Sequence, residues 1–195
     1  MIHDIMKANK AVESCINLEK IPGAVMQIGH GDSIDFVQAY GYAEIIPNRR
    51  LMTENTLFDL ASVTKVTAVW PGIIRLLNER KIKLETTVNC MLNISNLPAD
   101  IGGITLHQLL THTAGFVPFM DTVGETREER ILSLLTQTLM YKPGTQFVYS
   151  DLSFICLGEI IAQYSGVPLH EASKQIFSSL GMRDTGYLPD KSMSF

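Results

Sequence analysis

The stretch "FDLASVTKV", residues 58–66, lies where an extended segment gives way to a helical one, and it contains Ser62 and Lys65. On a helix, residues three apart share a face with their Cβ atoms about 5–6 Å apart, so these two side chains can meet. A serine hydroxyl becomes a nucleophile when a base takes its proton. A lysine can be that base only if burial or nearby positive charge lowers its pKa. The stretch therefore permits an activated serine without requiring one.

Two interpretations of this pair remain open at the level of the residues. The neighbours are of the apolar kind that would desolvate a lysine: Leu60, Ala61, Val63 and Val66. In the competing interpretation, Ser62 caps a helix and Lys65 points to solvent. With 13 serines and 9 lysines in 195 residues, this spacing is common by chance, so the tetrapeptide alone does not decide.

The composition predicts one globular domain over residues 1–195. The chain is 46% hydrophobic and 18% charged, with no linker, repeat or low-complexity tract. Its formal net charge of −4 and scattered Lys and Arg residues provide no basic surface, so nucleic acid is not an expected partner.

The cysteines and the N-terminal segment predict the compartment. Three widely spaced cysteines have apolar neighbours, which favours buried, reduced thiols: Cys15, Cys90 and Cys156. Residues 1–20 carry charges every few positions, and no apolar block has the length of a signal peptide or a membrane span. We therefore expect a cytoplasmic location and no membrane partner.

The apolar pattern predicts an α+β chain. It indicates a helix within residues 1–20 and an antiparallel hairpin over 24–43. A segment over 57–82 becomes helical and should kink or split at Pro71. Its buried stripe is expected to hold Val66, Val69, Ile73 and Leu76 or Leu77. Further helices are predicted over 105–112, 126–140, 150–166 and 168–182, the last two ending at Gly166 and Gly181.

A second group of polar residues, Tyr149-Ser150-Asp151, lies in "PGTQFVYSDLSF", residues 143–154, where a loop meets a helix. Such a junction can present side chains to a cleft. The alternative is that Ser150 or Asp151 simply caps the helix, and both roles can coexist.

His112 in "TLHQLLTHTAGF", residues 105–116, is a further candidate because histidine is the commonest general base. A histidine at a helix end more often bonds a backbone carbonyl, so a structural role is favoured. The histidines have no metal-ligand spacing, and the phosphate-loop, dinucleotide-binding and Gly-x-Ser-x-Gly motifs do not occur. No metal or cofactor is expected.

Four segments in order resemble the serine β-lactamase and penicillin-binding-protein superfamily, in its class C β-lactamase-like branch with esterases and D,D-peptidases. They are "FDLASVTKV", "LHQLLTHTAGF", "PGTQFVYSDLSFICLGEIIAQYSG" and "IFSSLGMRDTGY". The resemblance runs from about residue 20 to 188. It implies a β-lactamase/transpeptidase-like fold with a helix and sheet strands in 1–60 and a helical lobe in 61–188.

The resemblance also implies roles for individual residues. Ser62 is the acylated nucleophile, Lys65 its activating partner, and Tyr149 the phenol that shuttles protons to the leaving group. Asp151 stands where the family's Tyr-x-Asn motif has asparagine, and a carboxylate only accepts hydrogen bonds. Asp151 could hold Lys65 as a cation, so that Tyr149 as a phenolate would matter more. The competing Ser-Asp-Asn register is disfavoured, since it puts Leu152 at a polar position.

The family's third motif, Lys-Thr-Gly or His-x-Gly, has no counterpart in this sequence. "HTAG" at 112–115 is out of order, and "KSM" at 191–193 lacks the glycine. In the family that strand lines the cleft and lends one backbone N–H to the oxyanion hole. The family's C-terminal helix and most of its sheet have no counterpart either, so we expect an incomplete domain. Its exposed strand edges favour self-association.

Two functions follow from this reasoning. The first is a serine hydrolase that cleaves a small ester, amide or β-lactam through an acyl-enzyme. The second is a truncated, catalytically incompetent fragment or a non-catalytic, penicillin-recognising binding module. A helical scaffold whose motifs are coincidental is a third and more remote interpretation.

Overall fold

The computed structural model describes residues 2–187 and 189, and these form two compact units. The first unit comprises residues 2–59 with Pro189, and the second comprises Leu60–Tyr187. The expectation of a single domain over residues 1–195 stays a prediction. The segment "KSM" at 191–193 lies outside the described residues.

The first unit is a helix with a three-stranded antiparallel sheet. It contains α1 (Ile2–Asn17), β1 (Gly23–His30), β2 (Ser33–Glu44) and β3 (Arg50–Leu51), in the sheet order β1-β2-β3. Gly31 turns the hairpin with φ of +58°, a conformation that glycine adopts without steric cost. Helix α1 packs on β1 and β2, and the Tyr40 hydroxyl donates to the side chain of Asn9. The predicted N-terminal helix and hairpin are confirmed.

The second unit is built around one buried helix. Its elements are a 3₁₀ turn (Ala61–Val63), a π-helix (Lys65–Val69), α2 (Trp70–Asn78), α3 (Val88–Met91), α4 (Ala99–Gly102), α5 (Leu106–Leu110), α6 (Arg127–Leu135), α7 (Asp151–Ser165) and α8 (Leu169–Ser179). Helix α7 packs against α2, α5, α8 and the π-helix. Its buried side chains include Leu152, Phe154, Leu157, Ile160 and Ile161. Because α7 is surrounded, its first residue has a fixed place.

The segment that contains Ser62 is three short elements rather than one regular helix. Pro71 lies in the first turn of α2, as the predicted split requires. The prediction that Val66 is buried is wrong, because its side chain is 60% exposed while Val69 and Ile73 are buried. A π-helix closes i to i+5 bonds, so its wider turn moves Val66 off the face that a regular helix would bury.

The predicted helices correspond to α5, α6, α7 and α8, although α6 ends at Leu135 rather than near Met140. A β-branched residue follows at Thr136, and such residues lower helix propensity. Gly166 ends α7 with φ of +70°, as expected. Helices α3 and α4 were missed because four residues are too few to show a period.

The cysteines differ in their exposure. Cys156 is buried, and burial raises the pKa of its thiol to about 12, so it is inert as expected. The prediction that Cys90 is buried is wrong, since Val88 and Met91 take the inward positions of α3. Cys15 is half-buried.

No single described helix is long and apolar enough to cross a bilayer. Helices α7 and α8 meet the length and composition criteria only together, with an 80° bend between them.

We predict that Gly115→Ala destabilises the protein by about 2 kcal/mol or more. Gly115 has φ of +87°, and an added Cβ would overlap the carbonyl oxygen of Tyr141. Urea unfolding should show the loss, and Gly186→Ala is the matched control because its Cβ would meet open space. Equal unfolding free energies for the two variants would contradict the prediction.

Candidate active site

The Lys65 side chain lies at the centre of the polar residues that the sequence singled out. Its Nζ donates to Ser62 Oγ at 3.2 Å and to Asp151 Oδ1 at 2.6 Å. The Lys65 side chain is only 13% exposed, whereas that of Asp151 is 43% exposed. The structure therefore brings Ser62 and Lys65 together and joins them to a carboxylate 86 positions further along the chain.

The turn before the nucleophile candidate has a constrained backbone. Ser62 lies in the 3₁₀ turn and Lys65 is the first residue of the π-helix. Ala61 has φ of +42°, a region that residues with a Cβ rarely adopt and that costs about 1–3 kcal/mol. Strain of this kind is concentrated at functional sites, where the surrounding structure fixes it.

The segment before α7 divides its side chains between the site and the interior. Asp151 N–H donates to the Pro118 carbonyl at 3.0 Å. The hydroxyl of buried Ser150 donates to the Val117 carbonyl at 2.7 Å, and Leu152 is fully buried. Ser150 occupies the N-cap position of α7, as one of the alternatives had it, but its side chain makes no capping hydrogen bond.

This division favours one of the two registers. Tyr149 and Asp151 reach Lys65, while Ser150 and Leu152 face the interior. The arrangement has the geometry of the Tyr-x-Asp register, because the two polar side chains at alternate positions meet the same ammonium group.

Lys65 is desolvated by different residues from those the sequence suggested. The four apolar neighbours are all exposed, so that expectation is wrong: Leu60, Ala61, Val63 and Val66. Instead, Lys65 Nζ lies 4.9 Å from the ring centroid of Tyr149 and 5.7 Å from that of Phe154. Phe154 was missed, although it lies one helical turn after Asp151 on α7 and that spacing places both on one face.

The pKa of Lys65 is raised above its ordinary value. Burial acts to lower it, but hydrogen bonds with Asp151 and Tyr149 and the charge of Asp151 outweigh burial. Lys65 is therefore an ammonium group at neutral pH. It does not meet the condition for a lysine general base, namely a lowered pKa.

The pKa of Tyr149 is shifted in the opposite direction. Its hydrogen bonds with Ser62 and with Lys65 lower the pKa and outweigh the small effect of burial. Of the two groups that hydrogen-bond Ser62, Tyr149 is therefore the one whose deprotonated form is favoured by its surroundings.

The His112 ring lies beside the ring of Tyr149. Its Nδ1 accepts a hydrogen bond from Ser150 N–H at 3.1 Å, and its ring centroid is 4.6 Å from that of Tyr149. The prediction that His112 bonds a backbone carbonyl is wrong, because φ of +55° turns its ring away from α5 toward the Tyr149 segment. Burial and the charge of Lys65 lower the pKa of His112, so the imidazole is neutral.

Among the described residues, no group of three His, Cys, Asp or Glu side chains could hold a metal ion.

Comparisons with known proteins agree with this geometry. A "Putative D-alanyl-D-alanine carboxypeptidase" from Salmonella agona (strain SL483) is 30% identical over 173 residues, 78% of this chain and 40% of that protein. The octameric penicillin-binding protein homologue from Pyrococcus abyssi is 28% identical with a TM-score of 0.76, and the match covers 92% of this chain and 43% of that one. A class C β-lactamase from Rhodobacter sphaeroides is 30% identical with a TM-score of 0.70, over 89% and 48% of the two chains.

These matches confirm the predicted fold class and the resemblance from which it came. They also show that the chain spans about 40% of the length of the curated relatives it matches. The family model described as Beta-lactamase matches residues 8–194, nearly the whole sequence. Since the match extends across both compact units and includes all four residues of the site, the chain belongs to the Beta-lactamase family.

Proposed function

We propose that this chain carries the nucleophile and the activating residues of a serine hydrolase, which cleaves an ester, amide or β-lactam through an acyl-enzyme on Ser62. The observation that supports this most directly is the Lys65 ammonium group, which bonds Ser62 Oγ and Asp151 together. Relatives described as carboxypeptidase and β-lactamase support the same class of reaction.

Proton transfer in the proposed reaction runs through Tyr149. The phenolate takes the proton of Ser62, whose oxygen forms a bond to the substrate carbonyl carbon. The Tyr149 hydroxyl then returns that proton to the leaving oxygen or nitrogen as its bond to carbon breaks, which leaves the acyl-enzyme. In deacylation Tyr149 takes a proton from water, the hydroxyl attacks the acyl carbon, and Ser62 leaves with the proton.

Lys65 and Asp151 support this path without exchanging protons. The ammonium group stabilises the phenolate and the developing serine oxyanion by its charge and its hydrogen bonds. Asp151 keeps the ammonium charged, so it makes the lysine a fixed cation rather than a base.

The second candidate function is binding or acylation without turnover. Within Leu60–Tyr187, all of which the structure describes, the β-pairing is one isolated bridge between Thr87 and Thr105. No described strand of this unit supplies the second oxyanion donor. Loss of one such donor costs on the order of 10²–10³ in rate.

Labelling of Ser62 tests the proposed nucleophile. A fluorophosphonate, and separately a penicillin, should each add one adduct to the chain in intact-mass spectrometry, and Ser62→Ala should abolish both. The control is Ser178→Ala, which replaces an exposed serine on α8 and should label like wild type. Labelling that persists in Ser62→Ala, or no labelling of a folded sample, would contradict the proposal. Stable adducts with no release of product would favour the second function.

The pH dependence of labelling tests the proton acceptor. The acylation rate should rise with pH to a plateau and reach half its maximum below pH 10, the ordinary pKa of tyrosine, because Ser62 and Lys65 lower the pKa of Tyr149. Asp151→Asn should move the midpoint to lower pH, since the charge of Asp151 acts to raise this pKa. Tyr149→Phe should slow acylation by roughly 10²–10⁴-fold. Stopped-flow labelling measures the wild-type pH midpoint, its shift in Asp151→Asn and the rate loss in Tyr149→Phe. An unchanged midpoint in Asp151→Asn would contradict Tyr149 as the proton acceptor.

Asp151 should also select substrates by charge. The Lys65 ammonium group bonds both Ser62 and the half-exposed Asp151 carboxylate, so Asp151 lies close to the reacting serine. Its negative charge repels an acyl group that itself carries a carboxylate. Phenyl butyrate and the phenyl monoester of succinate have similar size and differ in charge. Asp151→Asn should lower the neutral-to-anionic ratio of acylation rates by about threefold or more. Asp184→Asn, which changes an exposed carboxylate elsewhere, should leave the ratio as it is in wild type.

A further inference from the structure

We propose that His112 is a positioning residue that holds the Tyr149 phenol against Ser62 and Lys65. The inference rests on the proposed function for its consequence in catalysis. Three kinds of contact support the positioning role, and His112 makes them with its backbone carbonyl, its ring nitrogen Nδ1 and the face of its ring.

His112 holds the chain on both sides of Tyr149. Its carbonyl accepts a hydrogen bond from Val148 N–H at 2.9 Å, and its Nδ1 accepts one from Ser150 N–H at 3.1 Å. Because the residues before and after Tyr149 are both bonded to His112, the Tyr149 backbone has little freedom to rotate. The direction in which its side chain leaves the backbone is fixed accordingly.

The ring of His112 limits the Tyr149 side chain itself. The planes of the His112 and Tyr149 rings are inclined at 34°, and their centroids are 4.6 Å apart. The ring centroid of Phe154, a residue of α7, lies 5.0 Å from that of the imidazole. Phe147 meets the imidazole edge-on at 5.9 Å. Tyr149 is nearly half exposed, so without this contact one face of its ring would have much less to pack against.

The segment that carries His112 is itself firmly attached. The Thr113 carbonyl accepts from Gly144 N–H at 2.8 Å, and the Gly115 carbonyl accepts from Met140 N–H at 2.7 Å. His112 adopts φ of +55°, a left-handed conformation that His, Asn and Asp adopt more readily than other residues with a Cβ. The backbone thus restricts the residue types that can deliver a nitrogen acceptor and an aromatic face here.

The neutral state of the imidazole is needed for these contacts. A protonated Nδ1 could not accept from Ser150 N–H, and it would add a second positive charge near Lys65. The charges of Lys65 and Asp151 act on the imidazole, and the Tyr149 ring packs against it. Burial and Lys65 lower the pKa of His112 and outweigh the opposite influence of Asp151, so the acceptor is present at neutral pH.

Three variants of His112 separate the two kinds of side-chain contact. His112→Asn keeps a residue that tolerates the left-handed backbone and offers an oxygen acceptor, but it lacks the ring. His112→Phe keeps an aromatic ring and lacks the acceptor, and His112→Ala lacks both. His107→Asn is the matched control, because it changes an exposed histidine on α5 and should behave like wild type.

We expect His112→Ala to slow acylation of Ser62 on the order of ten- to hundredfold, with partial recovery in the Asn and Phe variants. The pH midpoint of acylation should rise toward the ordinary tyrosine value of 10, since a displaced phenol loses the hydrogen bonds that lower its pKa. In a Tyr149→Phe background, His112→Ala should cause little further loss, because the group it positions is already gone. Far-ultraviolet circular dichroism and urea unfolding establish that each variant is folded.

Two results would overturn the inference. One is an unchanged pH midpoint in folded His112→Asn, His112→Phe and His112→Ala proteins. The other is a loss of rate from His112→Ala that is equally large with Phe at position 149.

A titration of tyrosinate absorbance keeps this test separate from that of the proposed function. The difference between wild type and Tyr149→Phe gives the Tyr149 titration without any substrate. If the chain never acylates, the proposed function fails, yet a higher Tyr149 pKa in His112→Ala would still support the positioning role. An unchanged Tyr149 titration would refute it.

Discussion

The ion pair between Lys65 and Asp151 is the constraint on which the chemistry of this molecule depends. It joins the π-helix that follows the Ser62 turn to the first residue of α7, across 86 positions of sequence. Burial alone acts to lower the pKa of the Lys65 ammonium group, which is the direction that a lysine base requires. The Asp151 carboxylate acts in the opposite direction, so in the proposed reaction the proton is accepted by Tyr149. Under that proposal, the carboxylate at position 151 makes Lys65 a fixed cation and leaves proton transfer to Tyr149.

Helix α7 gives this pair its fixed geometry. Its buried residues pack against α2, α5 and α8, and Asp151 occupies its N-terminal end. The N-terminus of a helix carries partial positive charge, which attracts a negatively charged group placed there. The helix that lies at the centre of the core thus also holds the Asp151 carboxylate against Lys65. Packing of the second unit and electrostatics of the site are in this way properties of one element.

Local sequence pattern predicted the parts of the fold that depend on neighbours in the chain. The hairpin, the long helices and the split at Pro71 follow from apolar period and from proline geometry. Helical spacing allows Ser62 and Lys65 to meet, although it does not decide that they do. The sequence pattern did not predict the π-helix, and the exposure of Val66 was missed with it. A wide turn of this kind depends on packing rather than on local propensity.

The features of the site that were missed depend on contacts between distant segments. Desolvation of Lys65 comes from Tyr149 and Phe154, more than 80 positions away, and not from its own apolar neighbours. The role of His112 as an acceptor depends on a left-handed backbone that no period reveals. A family pattern can place such residues near a cleft, but it does not show which atom of each residue makes the contact.

The described residues separate two requirements of acyl transfer that enzymes normally meet together. In the proposed reaction, activation of the nucleophile uses Ser62, Lys65, Tyr149 and Asp151, and all of these lie in one compact unit with their hydrogen bonds formed. Stabilisation of the tetrahedral intermediate needs a second oxyanion donor, which no described strand of that unit supplies. A reactive probe depends mainly on the first requirement, whereas turnover of an amide depends on both. Labelling and turnover are therefore expected to diverge in this chain, and the size of that divergence measures how much the oxyanion donor contributes beyond an already activated serine.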